Sequence, residues 1–160
     1  PYTTLFRSVL FKTDAQAIAE DHSLSEEIFG PTSVLVEADS KEEMLRIAET
    51  MEGHLTATVH GTPEELAEYT DLIDVLEQKV GRLLINGFPT GVEVCHAMMH
   101  GGPFPASTDS RSTSVGTNAI YRFTRPVSYQ NFPENLLPDE LKDANPLQIW
   151  RLVNGTFQKA

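Results

Sequence analysis

The most constraining feature of the sequence is a strand–helix–strand pattern over residues 55–86. At Thr62, a capping hydroxyl, a proline at the first helical position and a glutamate three residues after the cap mark a helix start. Apolar residues then recur at steps of three and four, which predicts a helix with one face on a sheet, and Gly81 is expected to end it. Strands joined by such a crossover are expected to pair in parallel with a right-handed connection. The stripe consists of Leu66, Tyr69, Ile73, Leu76 and Val80, and the strands span residues 55–60 and 82–86.

A similar unit precedes this one. Residues 33–38 form a predicted buried strand, and Ser40 with Glu43 forms a capping box at the start of the next helix. A shorter helix over residues 13–21, with Thr13 as its cap, comes before that strand. The order predicts an α/β fold built on a three-layer open parallel sheet, which binds ligands beyond the carboxyl ends of its strands.

The residue composition changes after Asn86. Residues 87–118 are rich in Gly, Pro, Ser and Thr without periodicity, a pattern typical of a functional loop in a compact domain. Residues 117–130 return to an extended pattern that a proline interrupts, as in an edge strand. Residues 134–160 are predicted to form a tail of short helices, with a start at Asn145-Pro146 and a stop at Gly155.

Charge and cysteine content limit the function classes. The 160-residue chain has the length of about one domain and a net charge of -11, which disfavours binding to nucleic acid or anionic membranes. One cysteine excludes an intrachain disulfide and fits a reducing compartment. No targeting signal or long apolar run is visible, so we expect a cytoplasmic protein that contacts neither nucleic acid nor membrane.

The first residues have an unusual pattern. Residues 1–8 resemble, residue for residue, the in-frame translation of a common DNA-sequencing adapter, and we leave them out of the fold argument. The alternative is a genuine strand, since Tyr, Thr, Leu and Phe suit strands. The adapter interpretation implies that the gene continues upstream and that this chain is the C-terminal part of a longer protein. Such a part is expected to expose an apolar flank where the rest of the fold packed.

A candidate ligand segment lies at residues 26–31, where two adjacent carboxylates precede an aromatic residue and a Gly-Pro turn. A carboxylate such as Glu27 can accept both hydroxyls of a ribose, and the ring of Phe29 can pack on a flat heterocycle. The alternative is a solvated acidic loop in which Phe29 anchors the core. The residues by themselves leave both interpretations open.

A second candidate cluster contains Cys95, His96 and His100. An imidazole at His100 can assist proton transfer near neutral pH, or it can simply order the loop. Cys and His are metal-ligand types, but no fourth ligand is placed and Gly101-Gly102 opposes a helix there, so we predict no metal site.

The ordered motifs resemble the aldehyde dehydrogenase superfamily over residues 9–155. They are Glu26-Glu27-Ile28-Phe29-Gly30-Pro31, residues 55–60, residues 81–87 and the Gly101-Gly102 loop. The resemblance implies that residues 9–118 are part of a catalytic domain and that residues 119–133 are an oligomerisation strand of a homodimer or homotetramer.

The resemblance also implies roles for single residues. Glu27 would hold the nicotinamide ribose of NAD or NADP, with NADP slightly favoured, and Phe29 would pack near the nicotinamide. The loop over residues 99–109 resembles a bacterial branch that acts on 2,5-dioxovalerate or fatty aldehydes, and in that branch His100 would face the active-site thiol.

The same resemblance places the main reactive groups elsewhere. The family oxidises an aldehyde through a cysteine thiohemiacetal and a thioester. Its cysteine and its glutamate base lie upstream of the Glu27 motif, so Cys95 is interpreted as structural and the isolated chain as inactive. The alternatives are a non-catalytic α/β binding or assembly module and a small-ligand sensor with a flavodoxin-like fold.

Overall fold

The computed structural model describes residues 7–89, 91 and 95–159. Two compact units are present, residues 1–124 and residues 125–160. Most of the adapter-like segment, residues 1–6, lies outside the described residues. No helix within the described ranges is both long and apolar enough to cross a bilayer.

The first unit begins with a parallel strand pair. Strand β1 (Val9–Asp14) pairs with β2 (Thr32–Glu37), and helix α1 (Ala15–Glu20) and a 3-10 turn (His22–Ser25) lie between them. The prediction that Thr13 caps α1 is wrong. Asp14 occupies the cap, and its carboxylate accepts a hydrogen bond from the Ala17 amide at 2.9 Å. Thr13 belongs to β1, because pairing with β2 continues to Asp14.

The second half of the unit contains the predicted crossover. Helix α2 (Lys41–Thr50) leads to β3 (His54–Val59), and α3 (Pro63–Glu68) and α4 (Thr70–Glu77) lead to β4 (Val80–Ile85). β3 and β4 pair in parallel, as predicted.

Two capping boxes were predicted, and they form differently. Thr62 and Glu65 form the complete box at α3, with each side chain accepting from the other residue's amide. At α2, the Ser40 hydroxyl accepts from the Glu43 amide at 3.2 Å. The Glu43 carboxylate, however, accepts from the Asp39 amide at 2.9 Å, one residue before the cap. Both arrangements satisfy amides that a helix start otherwise leaves open.

The long helix predicted after Thr62 is interrupted. Tyr69 leaves helical geometry, with φ -112° and ψ 29°, and divides the segment into α3 and α4. Gly81 does not end the helix, because it lies within β4. The His54 amide donates to the Lys79 carbonyl at 2.8 Å, and His54 is in register with Val80. Sheet pairing with β3 therefore begins before Gly81.

The core of this unit lies between the helices and the second strand pair. Ala48 of α2 and Leu72 and Leu76 of α4 form its buried centre. Partly buried apolar residues from both helices, from β3 and β4 and from the break between α3 and α4 surround them; they are Leu45, Ala57, Val59, Tyr69, Val75 and Leu83. The face of α4 that packs on this core is shifted from the predicted stripe. Leu72 and Val75 take part and Ile73 does not, whereas Leu76 belongs to both.

The sheet differs from the predicted one. The described residues form two separate two-stranded parallel sheets, β1–β2 and β3–β4, and not one three-stranded sheet. Parallel strands are normally covered on both faces, yet Leu10 is 68% exposed. The first strand pair therefore exposes apolar side chains. The exposed apolar residues of β1 and β2 are Val9, Leu10, Phe11, Val34 and Leu35.

The segment predicted as an edge strand contains no strand. Residues Thr117–Phe123 form a 3-10 helix, and residues 124–130 have no regular structure. The extended interpretation of residues 117–123 is therefore wrong. An edge strand is defined by the sheet to which it adds. The described chain offers no such sheet to residues 119–133, so the oligomerisation strand stays a prediction.

The second unit ends in a β-hairpin and not in helices. After a 3-10 turn (Glu134–Leu136), strands β5 (Arg151–Val153) and β6 (Thr156–Gln158) pair antiparallel. Asn154 and Gly155 both have positive φ, 51° and 79°, as a tight hairpin turn requires. The helical tail predicted for residues 134–160 is wrong, because the Asn-Gly pair specifies this turn.

Candidate functional site

The segment with the two carboxylates borders a groove. The groove measures about 440 Å³ and lies between the loop before β2, the inner residues of β2 and the start of β3. Glu26 and Glu27 line it together with Glu52 and His54.

The Asp21 carboxylate, which begins the turn before this segment, accepts a hydrogen bond from the Ser23 amide at 3.0 Å. Hydrogen bonds from Ser23 lower the pKa of Asp21, so the turn stays anchored in mildly acidic solution.

Glu27 presents its carboxylate at the protein surface. The side chain is exposed, and it makes no hydrogen bond or ion pair within the part of the chain that the structure describes. Both carboxylate oxygens can therefore accept hydrogen bonds from a ligand, and two neighbouring hydroxyls of a ribose suit such an acceptor. Glu26 is exposed at the same rim.

Phe29 does not anchor the core. Its side chain is 94% exposed, which excludes the alternative that the sequence left open for this ring. Leaving a phenyl ring in water forgoes about 1.5–3 kcal/mol of burial free energy. The ring is not part of the groove lining, so the structure presents it beside Glu27 as an uncovered flat surface.

His100 is held through its backbone. Its amide donates to the Thr113 hydroxyl at 2.8 Å, and its carbonyl accepts from the Ser114 amide at 3.0 Å. The imidazole is exposed and has no hydrogen-bond partner among the described residues. The ring is therefore free to meet another group.

Cys95 and His96, the other two residues of the candidate cluster, make different contacts. His96 makes a 2.8 Å hydrogen bond between Nδ1 and the Thr117 hydroxyl. Cys95 is exposed, and its backbone carbonyl accepts from the Met98 amide at 3.2 Å. Within the described ranges, no three His, Cys, Asp or Glu residues stand close enough together to hold a metal ion.

The loop that contains His100 (residues 96–116), here called the His100 loop, packs directly on the first residues of β3 and β4. A Cβ added to Gly81 would stand 1.8 Å from the Gly101 carbonyl oxygen, and one added to Gly102 would stand 2.6 Å from the His54 carbonyl oxygen. Such distances leave no room for a side chain, so glycine is required for this backbone contact.

The two candidate segments both lie next to His54 at the amino end of β3. His54 lines the groove of Glu27, and its carbonyl touches Gly102 of the His100 loop. We expected a ligand beyond the carboxyl ends of the strands, and these residues lie at the opposite end. His100 itself does not line the groove of Glu27. The structure thus places both segments beside His54 without placing the side chains of Glu27 and His100 in one cavity.

Sequence reasoning missed Thr113 and His54. Thr113 is 1% exposed and is the most buried side chain of the described residues. No spacing rule identifies it, since it lies in a loop without periodicity. His54 was placed outside the predicted strand at residues 55–60, although its register partner Val80 starts β4.

The comparisons with known proteins agree with the motifs. Residues 15–125 match the sequence model of the aldehyde dehydrogenase family. The chain is 52% identical over 149 residues to the alpha-ketoglutaric semialdehyde dehydrogenase of Acinetobacter baylyi, covering 92% of this chain and 28% of that protein. It is 50% identical over 146 residues to alpha-ketoglutaric semialdehyde dehydrogenase 2 of Azospirillum brasilense, covering 91% of this chain and 28% of that protein. The chain thus spans about a quarter of the length of these relatives.

Proposed function

The chain belongs to the aldehyde dehydrogenase family, and on that premise we propose that it forms the nicotinamide-side wall of an enzyme active site. The reaction is the oxidation of an aldehyde to a carboxylate with NAD or NADP. The single observation that carries the proposal is the exposed carboxylate of Glu27 at the rim of a groove, which makes no hydrogen bond or ion pair with any described residue.

The proposed substrate is 2,5-dioxovalerate, which is alpha-ketoglutaric semialdehyde. Both relatives carry that substrate in their names. The loop over residues 99–109 supports the same branch, because it has Gly101-Gly102 followed by Pro103-Phe104.

The site residues fit a nicotinamide nucleotide. Glu27 would accept the two hydroxyls of the nicotinamide ribose, since its oxygens have no other partner among the described residues. Phe29 would pack its exposed ring beside the nicotinamide. A bound NAD or NADP would supply the hydride acceptor of the reaction. NADP is the slightly favoured form, because the branch that the loop resembles prefers it.

His100 would act on a proton at its exposed imidazole, near the reacting thiol. The nucleophilic cysteine and the glutamate base would come from the part of the enzyme beyond this chain. The exposed Cys95 does not line the groove of Glu27, which favours a structural interpretation of that residue. We therefore expect no turnover from this chain by itself.

The exposed apolar residues of β1 and β2 support the proposal that this chain is one part of an active-site unit. β1 and β2 expose apolar residues that a complete parallel α/β layer covers. Further strands would join the two strand pairs into the open sheet that the sequence predicted. We also propose that residues 119–133 extend along a neighbouring subunit in a homodimer or homotetramer, in the cytoplasm.

A chimera tests the proposal. This chain replaces the matching segment of the Acinetobacter baylyi relative, which supplies the rest of the enzyme. We expect the chimera to reduce NAD or NADP with 2,5-dioxovalerate and the 160-residue chain to show no turnover. Glu27→Gln in the chimera is expected to raise the KM for the nucleotide roughly tenfold, because a charged acceptor becomes a neutral one.

Glu26→Gln is the matched control, since it removes the neighbouring charge at the same rim. We expect it to change that KM by less than about twofold, because a solvated charge contributes little. An unchanged KM in Glu27→Gln would contradict the role of Glu27. An inactive chimera that folds would favour the non-catalytic binding or assembly module.

A further inference from the structure

The backbone of His100 is fixed by two consecutive residues of the same loop. Its amide donates to the Thr113 hydroxyl at 2.8 Å. Its carbonyl accepts from the Ser114 amide at 3.0 Å and from the Ser114 hydroxyl at 3.2 Å. Both polar groups of the His100 peptide are therefore engaged, 13 and 14 residues away along the chain.

The hydroxyl of Thr113 uses all of its hydrogen-bonding positions. It donates to the Val115 carbonyl at 2.9 Å and accepts from the amides of His100 at 2.8 Å and Val115 at 3.4 Å. A threonine hydroxyl has one donor and two acceptor positions, so all three are used. At 1% exposure, no water can replace these bonds without opening the loop.

The next residues prevent the loop from adjusting. A Cβ on Gly101 would lie 2.9 Å from the Ser112 carbonyl oxygen, and one on Gly102 would lie 2.6 Å from the His54 carbonyl oxygen. The backbone after His100 is thus packed against both Ser112 and the start of β3. Thr113 is the side chain that links His100 to this packed region.

We propose that Thr113 is a positioning residue for His100. Its hydroxyl fixes the peptide of His100 and so determines where the exposed imidazole stands relative to the reacting groups. The inference rests on the proposed function, because a positioned imidazole matters only where a proton is transferred.

The first test uses amide exchange in the 160-residue chain. Thr113→Val keeps the shape of the side chain and removes the acceptor, so we expect the His100 amide to exchange at least about tenfold faster. Thr113→Ser keeps the hydroxyl and is expected to preserve protection. The Asn86 amide, which donates to Val59, is the internal reference. Equal protection of His100 in Thr113→Val and the wild type would overturn the proposal.

The second test uses the chimera with 2,5-dioxovalerate. General acid–base assistance is worth roughly 10²–10⁴-fold, so we expect Thr113→Val to lower kcat roughly tenfold with little change in KM. Thr113→Ser is expected to restore kcat. In a His100→Ala background, Thr113→Val should have no further effect on kcat.

The outcomes separate the two proposals. An inactive chimera carrying the wild-type chain contradicts the proposed function. An active chimera in which the two substitutions act additively overturns only the role of Thr113. Should Thr113→Val fail to fold, Thr113→Cys makes the same comparison with a weaker acceptor of similar size.

Discussion

Asn86 and Gly61 exchange two hydrogen bonds at the carboxyl ends of β4 and β3. The Gly61 amide donates to Asn86 Oδ1 at 2.9 Å, and Asn86 Nδ2 donates to the Gly61 carbonyl at 2.8 Å. Asn86 has a φ of 51°, a left-handed conformation that asparagine tolerates better than most residues. The exchange ties together the loops that carry the neighbouring rings of His60 and Phe88, whose centroids lie 5.3 Å apart.

Replacing Asn86 with alanine is expected to lower the free energy of unfolding by about 2 kcal/mol, from two lost hydrogen bonds and left-handed strain. Urea denaturation followed by circular dichroism measures the change. Asn118→Ala is the control, because Asn118 is exposed and its side chain has no hydrogen-bond partner among the described residues. Equal midpoints for the two variants would show that the Asn86–Gly61 exchange does not stabilise the fold.

Lys79→Met is expected to destabilise the end of α2. The Lys79 ammonium donates to the carbonyls of Glu49 at 2.6 Å and Met51 at 2.8 Å, which a helix end leaves without intrahelical partners. We expect the free energy of unfolding, measured by urea denaturation, to fall by about 1–2 kcal/mol. The reason is that both carbonyl groups lose their charged hydrogen-bond donor. Lys12→Met, which removes an exposed pair with Glu37, should cost less than about 1 kcal/mol. A reversed order would contradict the prediction.

Local chemistry in the sequence predicted much of the first unit. Thr62 and Glu65 identified the start of α3, and strands β2, β3 and β4 lie within two residues of their predicted positions. These features depend on residues close together in the chain. Gly81 shows the limit of such reasoning, since a glycine after an apolar stripe ends a helix only if sheet pairing has not already begun.

The errors elsewhere have identifiable causes. The hairpin was missed although Asn154-Gly155 is a strong turn signal, because the flanking strands are only three residues each. Strand β1 was not predicted, because its apolar run is short and its last residues, Thr13 and Asp14, also suit a helix start. The contact of Gly102 with His54 joins residues far apart in sequence, and no local pattern encodes it.

Gly81→Ala is expected to detach the His100 loop from the sheet. The new Cβ would stand 1.8 Å from the Gly101 carbonyl oxygen, and backbone atoms cannot move aside as a flexible side chain can. Overpacking of this kind typically costs 1–3 kcal/mol, so we expect a loss of roughly 3 kcal/mol. Limited proteolysis should then cut within residues 96–116 at lower protease concentration.

Gly87→Ala is the matched control for this substitution. Its Cβ would meet a side-chain atom of Leu84 at 3.7 Å, an ordinary contact, and no positive φ is involved. We expect its stability to stay within about 0.5 kcal/mol of the wild type. Wild-type stability and protease resistance in Gly81→Ala would show that the loop does not rest on β4.

Acid is expected to loosen the loop that follows His100 through the titration of Asp109. The backbone amide of Arg111, the Ser112 hydroxyl and the Arg111 charge lower the pKa of this carboxyl from its ordinary value of 3.8. The folded state therefore favours the ionised form. The contribution of the Asp109 carboxylate to the stability of the fold is fully present above about pH 3.8. It disappears as the pH falls through the lower pKa of the folded state. Carboxyl NMR of Asp109 measures that pKa directly.

Two variants separate the causes of this shift. Arg111→Gln keeps the backbone amide, which is the largest cause, so the pKa of Asp109 should remain below 3.8. Asp109→Asn removes the titrating group, and the stability of this variant should lose the Asp109 component of its dependence on acid pH. If Arg111→Gln returns the pKa of Asp109 to its ordinary value, the ion pair and not the amide anchors the turn. Because the Arg111 guanidinium is 92% exposed, screening by solvent makes that result the less expected one.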